Sequence, residues 1–193
     1  MADNLTILGK EVIIGGSEHL RDSDIEERLC EGEMFIGDSL QKGTAETQVV
    51  AHPGTSGANA GFKGICLGHS IRQSPLEDFG SGDRTDAVAL LIKTGGGLLT
   101  PGKMIKYLKR SGGRYKVRIM VHGQSGSLTV PSGSPVFHYS TGSTIGSTLS
   151  GLGNFFVDDA CTDDGAIVGY LSKECVIPDA TTNDVNIEAE MWY

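Results

Sequence analysis

The chain has 193 residues, of which 21% are charged and 28 are glycine. Its formal net charge of −8 disfavours binding to nucleic acid or to anionic membranes over most of the surface. No apolar run reaches the roughly 18 residues of a membrane-spanning helix. The N-terminal sequence lacks the basic and then apolar pattern of a signal peptide. We therefore expect a protein that is kept, or assembled, in a cytoplasm.

Residues 1–33 differ in pattern from the rest of the chain. A few apolar residues are followed by a polar stretch with acidic side chains at its centre. Ser23 and Glu26 have the spacing of a helix capping box, but the apolar stripe behind them is thin. We predict an arm or a short surface helix here, and no core element. The apolar residues of this arm are Leu5, Ile7, Val12, Ile13 and Ile14.

From Met34 onward, short apolar or alternating runs are separated by glycine and proline turns, which is the pattern of β-strands. Apolar strands begin at Gly61 and Asp86, and an alternating strand covers residues 115–121. We predict an all-β fold of one or two small barrel or sandwich lobes with an N-terminal arm. The expected boundaries are 1–33 for the arm, 34–100 for the first lobe and 101–193 for the second.

A loose internal repeat relates the two predicted lobes. GDSL at Gly37 is matched with GSPV at Gly133, and GFKGICLG at Gly61 with GAIVGYL at Gly165. DAVALLI, from residue 86, is matched with DVNIEAEM, from residue 184. Two such units predict a pair of small barrels or one duplicated sandwich. The loops between the matched segments differ in length, so a fold without duplication stays open.

Four cysteines, at positions 30, 66, 161 and 175, are spread without a C-x-x-C pair, which disfavours a zinc site. Cys66 and Cys175 lie in apolar runs, so we predict buried free thiols, with disulfides as the alternative. The acidic residues near Asp158 lack the spacing of an EF-hand, which favours a solvated turn over a calcium site. We expect no metal and no cofactor.

Residues Gly97–Lys103 match the phosphate-loop pattern G-x-x-x-x-G-K after an apolar strand. Met104 stands where a Ser or Thr hydroxyl would reach Mg²⁺, and few helices are expected downstream. A glycine hinge followed by a Pro-Gly turn is the preferred interpretation. The five histidines are far apart in sequence and form no recognisable catalytic pattern. We expect a protein that is not an enzyme, with nucleotide binding through Gly97–Lys103 as an alternative.

The segment Lys103–Arg118 concentrates positive charge in an acidic chain. We predict a hairpin that turns at Gly112–Gly113 and docks onto an acidic partner surface, or onto the acidic loop of a neighbouring copy of this chain. A nucleic-acid or glycan patch, with Tyr107 and Tyr115 as stacking residues, is the alternative. The candidate contact residues are Lys106, Lys109, Arg110 and Arg114, together with the apolar residues of the arm.

The second half of the chain has a pattern of apolar, glycine and proline residues at Val130, Pro131, Gly133, Pro135 and Val136, and then at Gly165, Ile167, Val168, Gly169 and Leu171. This pattern resembles that of the capsid cement proteins, which decorate the heads of tailed viruses. The first half is similar at Gly37, Gly64, Ile65, Leu67 and Gly68. The chain departs from the family pattern in its arm, in the acidic loop Glu77–Asp86 and in the basic segment.

This resemblance implies a structural protein on the outer surface of an icosahedral virion, assembled in the host cytoplasm. It implies a homotrimer or other small ring that bridges and stabilises subunits of the major capsid protein. No direct contact with nucleic acid or membrane is expected. A glycan- or receptor-binding virion module is a second interpretation, for which exposed aromatic side chains would be decisive.

Overall fold

The computed structural model describes residues 12–32, 34–51, 61–69, 98–99, 102–110, 113–122, 127–138, 155–157, 167–177 and 186–193. Two short 3-10 turns, Ser17–His19 and Asp22–Asp24, are the helical elements of this part of the chain. The strands are β1 Ile13–Gly15, β2 Ile25–Cys30, β3 Met34–Phe35, β4 Ser39–Lys42, β5 Gln48–Ala51, β6 Phe62–His69, β7 Leu98–Leu99, β8 Met104–Lys109, β9 Lys116–His122, β10 Leu128–Val130, β11 Pro135–Phe137, β12 Ile167–Leu171, β13 Cys175–Ile177 and β14 Asn186–Trp192. The predicted all-β fold is confirmed.

The first lobe is a closed barrel with the strand order β2-β5-β4-β6-β8. Strands β2 and β5 are parallel, and the other four contacts are antiparallel. A small ladder between β3 and β7 accompanies the barrel. A small barrel of this kind is filled by its inward-facing side chains. Its interior consists of Cys30, Met34, Leu40, Val49, Ala51, Cys66, Ile105 and Tyr107.

The second lobe contains the antiparallel sheet β1-β9-β14-β12-β11. Phe155 forms a parallel bridge with Val121 of β9, and Phe156 forms an antiparallel bridge with Phe137 of β11. Residues 155–157 therefore lie between β9 and β11 and complete a five-membered ring. A ladder between β10 and β13 accompanies this ring.

The two rings have the same topology. Numbered in chain order, each has the cyclic order 1-3-2-4-5, with the parallel contact between the first and third members. Strands β2, β4, β5, β6 and β8 correspond in turn to β9, β11, residues 155–157, β12 and β14. The ladder β3·β7 corresponds to β10·β13. The predicted duplication is therefore present in the fold.

The correspondence extends to the register of single residues. Leu40 pairs with Gly64 and Val136 pairs with Gly169, and both ladders shift register directly after that pair. The turn before each strand is also the same. The N–H of Gly37 donates to the carbonyl of Cys66, and the N–H of Gly133 donates to that of Leu171, both at 2.8 Å. Both turn glycines have positive φ, 92° and 87°, which L side chains rarely adopt.

The two interiors match position by position. Each of the eight interior residues of the first barrel has a buried counterpart in the second lobe. In the same order the counterparts are Val121, Val130, Val136, Phe155, Val157, Leu171, Ala189 and Met191. The duplicated topology therefore preserves burial while allowing side-chain volumes to change.

Three sequence-based assignments need correction. Strand β2 lies inside the segment predicted as an arm. Its polar sequence did not indicate a strand, because the charges of Glu26 and Arg28 are neutralised by an ion pair between these two residues. Strand β8 belongs to the first barrel, so the boundary at 100/101 falls inside that barrel. The counterpart of the segment beginning at Asp184 is β8. The segment beginning at Asp86, proposed for that role, lies outside the described residues.

The two lobes share an apolar contact. Ile65 and Leu108 are flanked by the inward-facing Cys66 and Tyr107, so they point away from the interior of the first barrel. Both are nevertheless 0% exposed, because they belong to the hydrophobic cluster of the second lobe. Phe62 of β6 lies nearby, with its ring centroid 5.9 Å from that of Tyr193. The second lobe therefore covers one outer face of the first barrel.

Candidate interaction surface

Burial makes the thiols of the described core unreactive. Cys30, Cys66 and Cys175 are buried free thiols, as predicted, while Cys161 lies outside the described residues. Burial raises the pKa of the Cys30 thiol to about 12, so that thiol stays protonated and is a poor nucleophile. Among the residues with a described position, no group of three or more His, Cys, Asp or Glu side chains is arranged to hold a metal ion.

The described residues of the segment proposed as a phosphate loop, 98–99 and 102–103, have a different structure. Leu98 and Leu99 form β7, which pairs with β3. Gly102 adopts a positive φ of 84°, and the strand β8 follows directly after Lys103. A phosphate loop needs a helix N-terminus at this point, so that backbone N–H groups can surround the phosphates. The nucleotide-binding interpretation of Gly97–Lys103 therefore lacks its structural basis.

The basic segment is not a hairpin. Strand β8 pairs with β2 and β6, whereas β9 pairs with β1 and β14. The residues between β8 and β9, including Gly113, therefore connect the two lobes. The prediction of a hairpin was wrong because alternation identifies strands but does not identify their partners.

Carboxylates of the same chain neutralise much of this basic segment. Four cations form ion pairs within the chain: Lys106 with Glu27 at 3.7 Å, Arg114 with Asp24 at 3.5 Å, Lys116 with Glu190 at 2.7 Å and Arg118 with Glu188 at 2.9 Å. Tyr107 and Tyr115, proposed as stacking residues, are 2% and 0% exposed. A nucleic-acid or glycan patch that uses these two rings is therefore wrong. Lys109 is half-buried and Arg110 is exposed.

The apolar residues of the predicted arm have different positions. Leu5 and Ile7 lie outside the described residues. Val12 is 5% exposed and belongs to the core of the second lobe. Ile13 packs against the same core and pairs with Val117, and Ile14 is half-buried in β1. Val12 and Ile13 therefore stabilise the fold of their own chain, and a contact of either residue with a partner stays a prediction.

A pair of exposed aromatic side chains stands out on the second lobe. Tyr170 of β12 and Trp192 of β14 are direct cross-strand partners and are 51% and 45% exposed. Their neighbours Leu171 and Met191 point into the lobe. We call Tyr170 and Trp192 the aromatic face. Neither residue was among the predicted contact residues, although alternation in GYL and MWY places both rings on the side opposite the buried residues.

Charged groups border the aromatic face. The carboxylate of Glu190 lies 2.7 Å from the ammonium group of Lys116 and 2.9 Å from that of Lys173. Hydrogen bonds from these two lysines lower the pKa of Glu190 to about 2. An apolar, aromatic centre with a polar border is the usual organisation of a protein–protein interface. The aromatic face is therefore the best candidate for an interaction surface in the described structure.

Comparison with protein-family models and with curated proteins finds no match to this chain. The described part of the chain contains no helix with the length and apolar character needed to span a membrane.

Proposed function

We propose that this protein is a structural virion protein that binds the outside of an icosahedral capsid. It would stabilise the shell by bridging subunits of the major capsid protein, as a homotrimer or other small ring. The observation that carries this proposal is the filling of both lobes by apolar side chains, while the aromatic face of Tyr170 and Trp192 is exposed on the outside. Such a molecule offers its outer surfaces to partners.

The duplicated architecture supports a bridging role. A specific interface buries about 800 Å² on each partner, and two lobes held by a shared apolar contact present two such areas at a fixed separation. The closed first barrel also leaves few unpaired strand edges, which limits edge-to-edge aggregation at high concentration. The net charge of −8 favours solubility and disfavours contact with packaged DNA.

Co-sedimentation with purified shells tests this proposal. We expect the protein to pellet with shells and to raise the temperature at which they release their genome. A chain lacking residues 1–11 keeps every described residue and tests whether Leu5 and Ile7 contribute to binding. Deletion of residues 1–33 is unsuitable because it removes β2 from the first barrel. Full-length protein that stays in the supernatant, with unchanged shell stability, would contradict the proposal.

A glycan- or receptor-binding virion module is the alternative, and the exposed pair Tyr170 and Trp192 favours it. Aromatic rings on a sheet surface can stack on the apolar face of a sugar. Trp192 is the single tryptophan of the chain, so its fluorescence reports directly on this surface. A saturable change in Trp192 emission on titration with oligosaccharides would support the alternative over capsid binding.

A further inference from the structure

The duplicated fold shows which surface of the first barrel corresponds to the aromatic face. Ile65 pairs with Leu108 in the first barrel, and Tyr170 pairs with Trp192 in the second lobe. The first residue of each pair directly follows a glycine, Gly64 in β6 or Gly169 in β12. Each of these glycines pairs with the residue after which the neighbouring ladder shifts register. Tyr170 and Trp192 therefore occupy the positions of Ile65 and Leu108.

Those equivalent positions have opposite environments. Ile65 and Leu108 are 0% exposed because the second lobe covers them. Phe62, on the same strand as Ile65, has its ring centroid 5.4 Å from that of His138 and 6.4 Å from that of Phe155. In the first barrel this face is thus a docking surface for a neighbouring lobe. The same face of the second lobe carries two large aromatic side chains that are about half exposed.

We propose that the aromatic face of one copy docks onto the first barrel of a second copy of this chain. The contact inside the chain joins two different surfaces, the Ile65–Leu108 face of one lobe and the His138–Tyr193 region of the other. When a contact between two different surfaces is repeated from copy to copy, the copies are arranged head-to-tail. Such an arrangement forms a closed ring or an open row. Each copy then contributes two surfaces: its aromatic face contacts one neighbouring copy, and its first barrel receives the aromatic face of another.

The register also identifies the receiving region on the second copy. The counterpart of His138 is Lys42, which follows Gln41 as His138 follows Phe137. The counterpart of Tyr193 is Lys109, which follows Leu108 as Tyr193 follows Trp192. Lysine ammonium groups bind favourably to the faces of tryptophan and tyrosine rings. Inside the chain the ring of Phe62 lies against the rings of His138 and Tyr193, and between copies the rings of Tyr170 and Trp192 would lie against lysines.

The purified full-length protein, without shells, tests this inference, so its failure is distinguishable from failure of the capsid proposal. We expect sedimentation velocity to show a mass above that of the monomer. The emission of Trp192 should shift to shorter wavelength as concentration rises. Replacing both aromatic residues, Tyr170→Ser with Trp192→Ser, should weaken association by more than roughly tenfold. The matched control is Val176→Ser, because Val176 is 57% exposed on β13 and lies outside the aromatic face.

Charge reversal of the receiving region is a second, independent test. The variant with Lys42→Glu and Lys109→Glu should weaken association while leaving the circular dichroism spectrum unchanged. A wild-type protein that is monomeric at every concentration overturns the inference. So does a folded aromatic double variant that associates like wild type, or a charge-reversed variant that does so. An emission change caused by oligosaccharides without a change in mass would assign the aromatic face to glycan binding instead.

Discussion

The hydroxyl group of Tyr193 donates a hydrogen bond of 3.0 Å to the backbone carbonyl oxygen of Leu108. Both residues are fully buried or nearly so, and they belong to different lobes. Desolvation raises the pKa of Tyr193 well above its ordinary value of 10. This bond therefore couples the second lobe to the covered face of the first barrel, at the level of single atoms.

Removal of that hydroxyl should destabilise the contact between the lobes. In the Tyr193→Phe variant the ring stays in place, but the buried carbonyl of Leu108 loses this donor. We expect the free energy of unfolding to fall by about 1–2 kcal/mol. Urea denaturation measures it, and Tyr170→Phe is the control because the hydroxyl of Tyr170 is on an exposed side chain. Equal losses in the two variants would contradict this role for Tyr193.

Tyr193 should also make the protein sensitive to alkali. A tyrosine whose pKa is raised on folding contributes stability that is fully present below its ordinary pKa of 10. That contribution is lost as the pH rises toward the raised value. We expect the wild-type stability to decline above pH 10, and to decline less steeply in Tyr193→Phe. Tyr107, whose pKa burial also raises, would account for part of the remaining slope. Identical pH profiles for wild type and variant would exclude a contribution from Tyr193.

Two equivalent glycines should be intolerant of any side chain. A Cβ atom on Gly64 would lie 2.1 Å from the carbonyl oxygen of Leu108, and one on Gly169 would lie 2.4 Å from that of Trp192. We expect Gly64→Ala and Gly169→Ala each to cost about 3 kcal/mol or more, because a backbone must move. Gly61→Ala is the control, since no atom lies within 4 Å of its added Cβ. Thermal unfolding measures the stability of the three variants. If Gly64→Ala is as stable as wild type, the close packing of β6 against β8 is contradicted.

Glu190 should contribute to stability against acid. Hydrogen bonds from Lys116 and Lys173 lower its pKa from 4.5 to about 2. A carboxylate whose pKa is lowered on folding contributes stability above its ordinary pKa, and that contribution is lost as pH falls toward the lowered value. Glu190→Gln should therefore be less stable than wild type at neutral pH, and the difference should shrink between pH 4.5 and 2. A difference that stays constant over this range, or one equally large for Glu174→Gln, would contradict the assignment.

The two thiols inside the first barrel should be protected from alkylation. Burial raises the pKa of Cys66 well above 9 and that of Cys30 to about 12. We expect peptides containing either cysteine to remain unlabelled after iodoacetamide treatment of the native protein, and to label fully in denaturant. Mass spectrometry of the digested protein distinguishes the sites. Rapid native labelling of Cys66 would show that the barrel opens easily.

The sequence predicted those parts of the fold that depend on local backbone geometry. The match of Gly37 with Gly133 indicated the duplication, because the turn before each strand requires a positive φ. The sequence matched Gly61 with Gly165, whereas the register of the two lobes makes Gly64 the counterpart of Gly169. Strand β2 was missed because its charged Glu26 and Arg28 neutralise each other, which no local pattern shows. The hairpin between β8 and β9 was wrong for a related reason: their true partners are distant in sequence.

The candidate surface was harder to predict than the fold. Alternation indicates on which side of a strand Tyr170 and Trp192 lie, but the same rule applies to Ile65 and Leu108. Whether such a pair is exposed depends on a neighbouring lobe, so it is decided by tertiary packing. In a similar way, the charges of Lys106 and Arg114 were visible in sequence, while their carboxylate partners on other segments were not.

The path of the chain has a mechanical consequence. Strand β1 joins the sheet of the second lobe, the chain then builds the whole first barrel, and it returns at β9 to complete the second lobe. Strands β1 and β14 flank β9 on opposite sides. A pulling force applied through β1 and β14 is therefore transmitted across β9, and the first barrel carries no tension until β1 detaches. The short ladder between β1 and β9 would therefore separate first. The first barrel would then come under tension, and its unfolding would lengthen the chain.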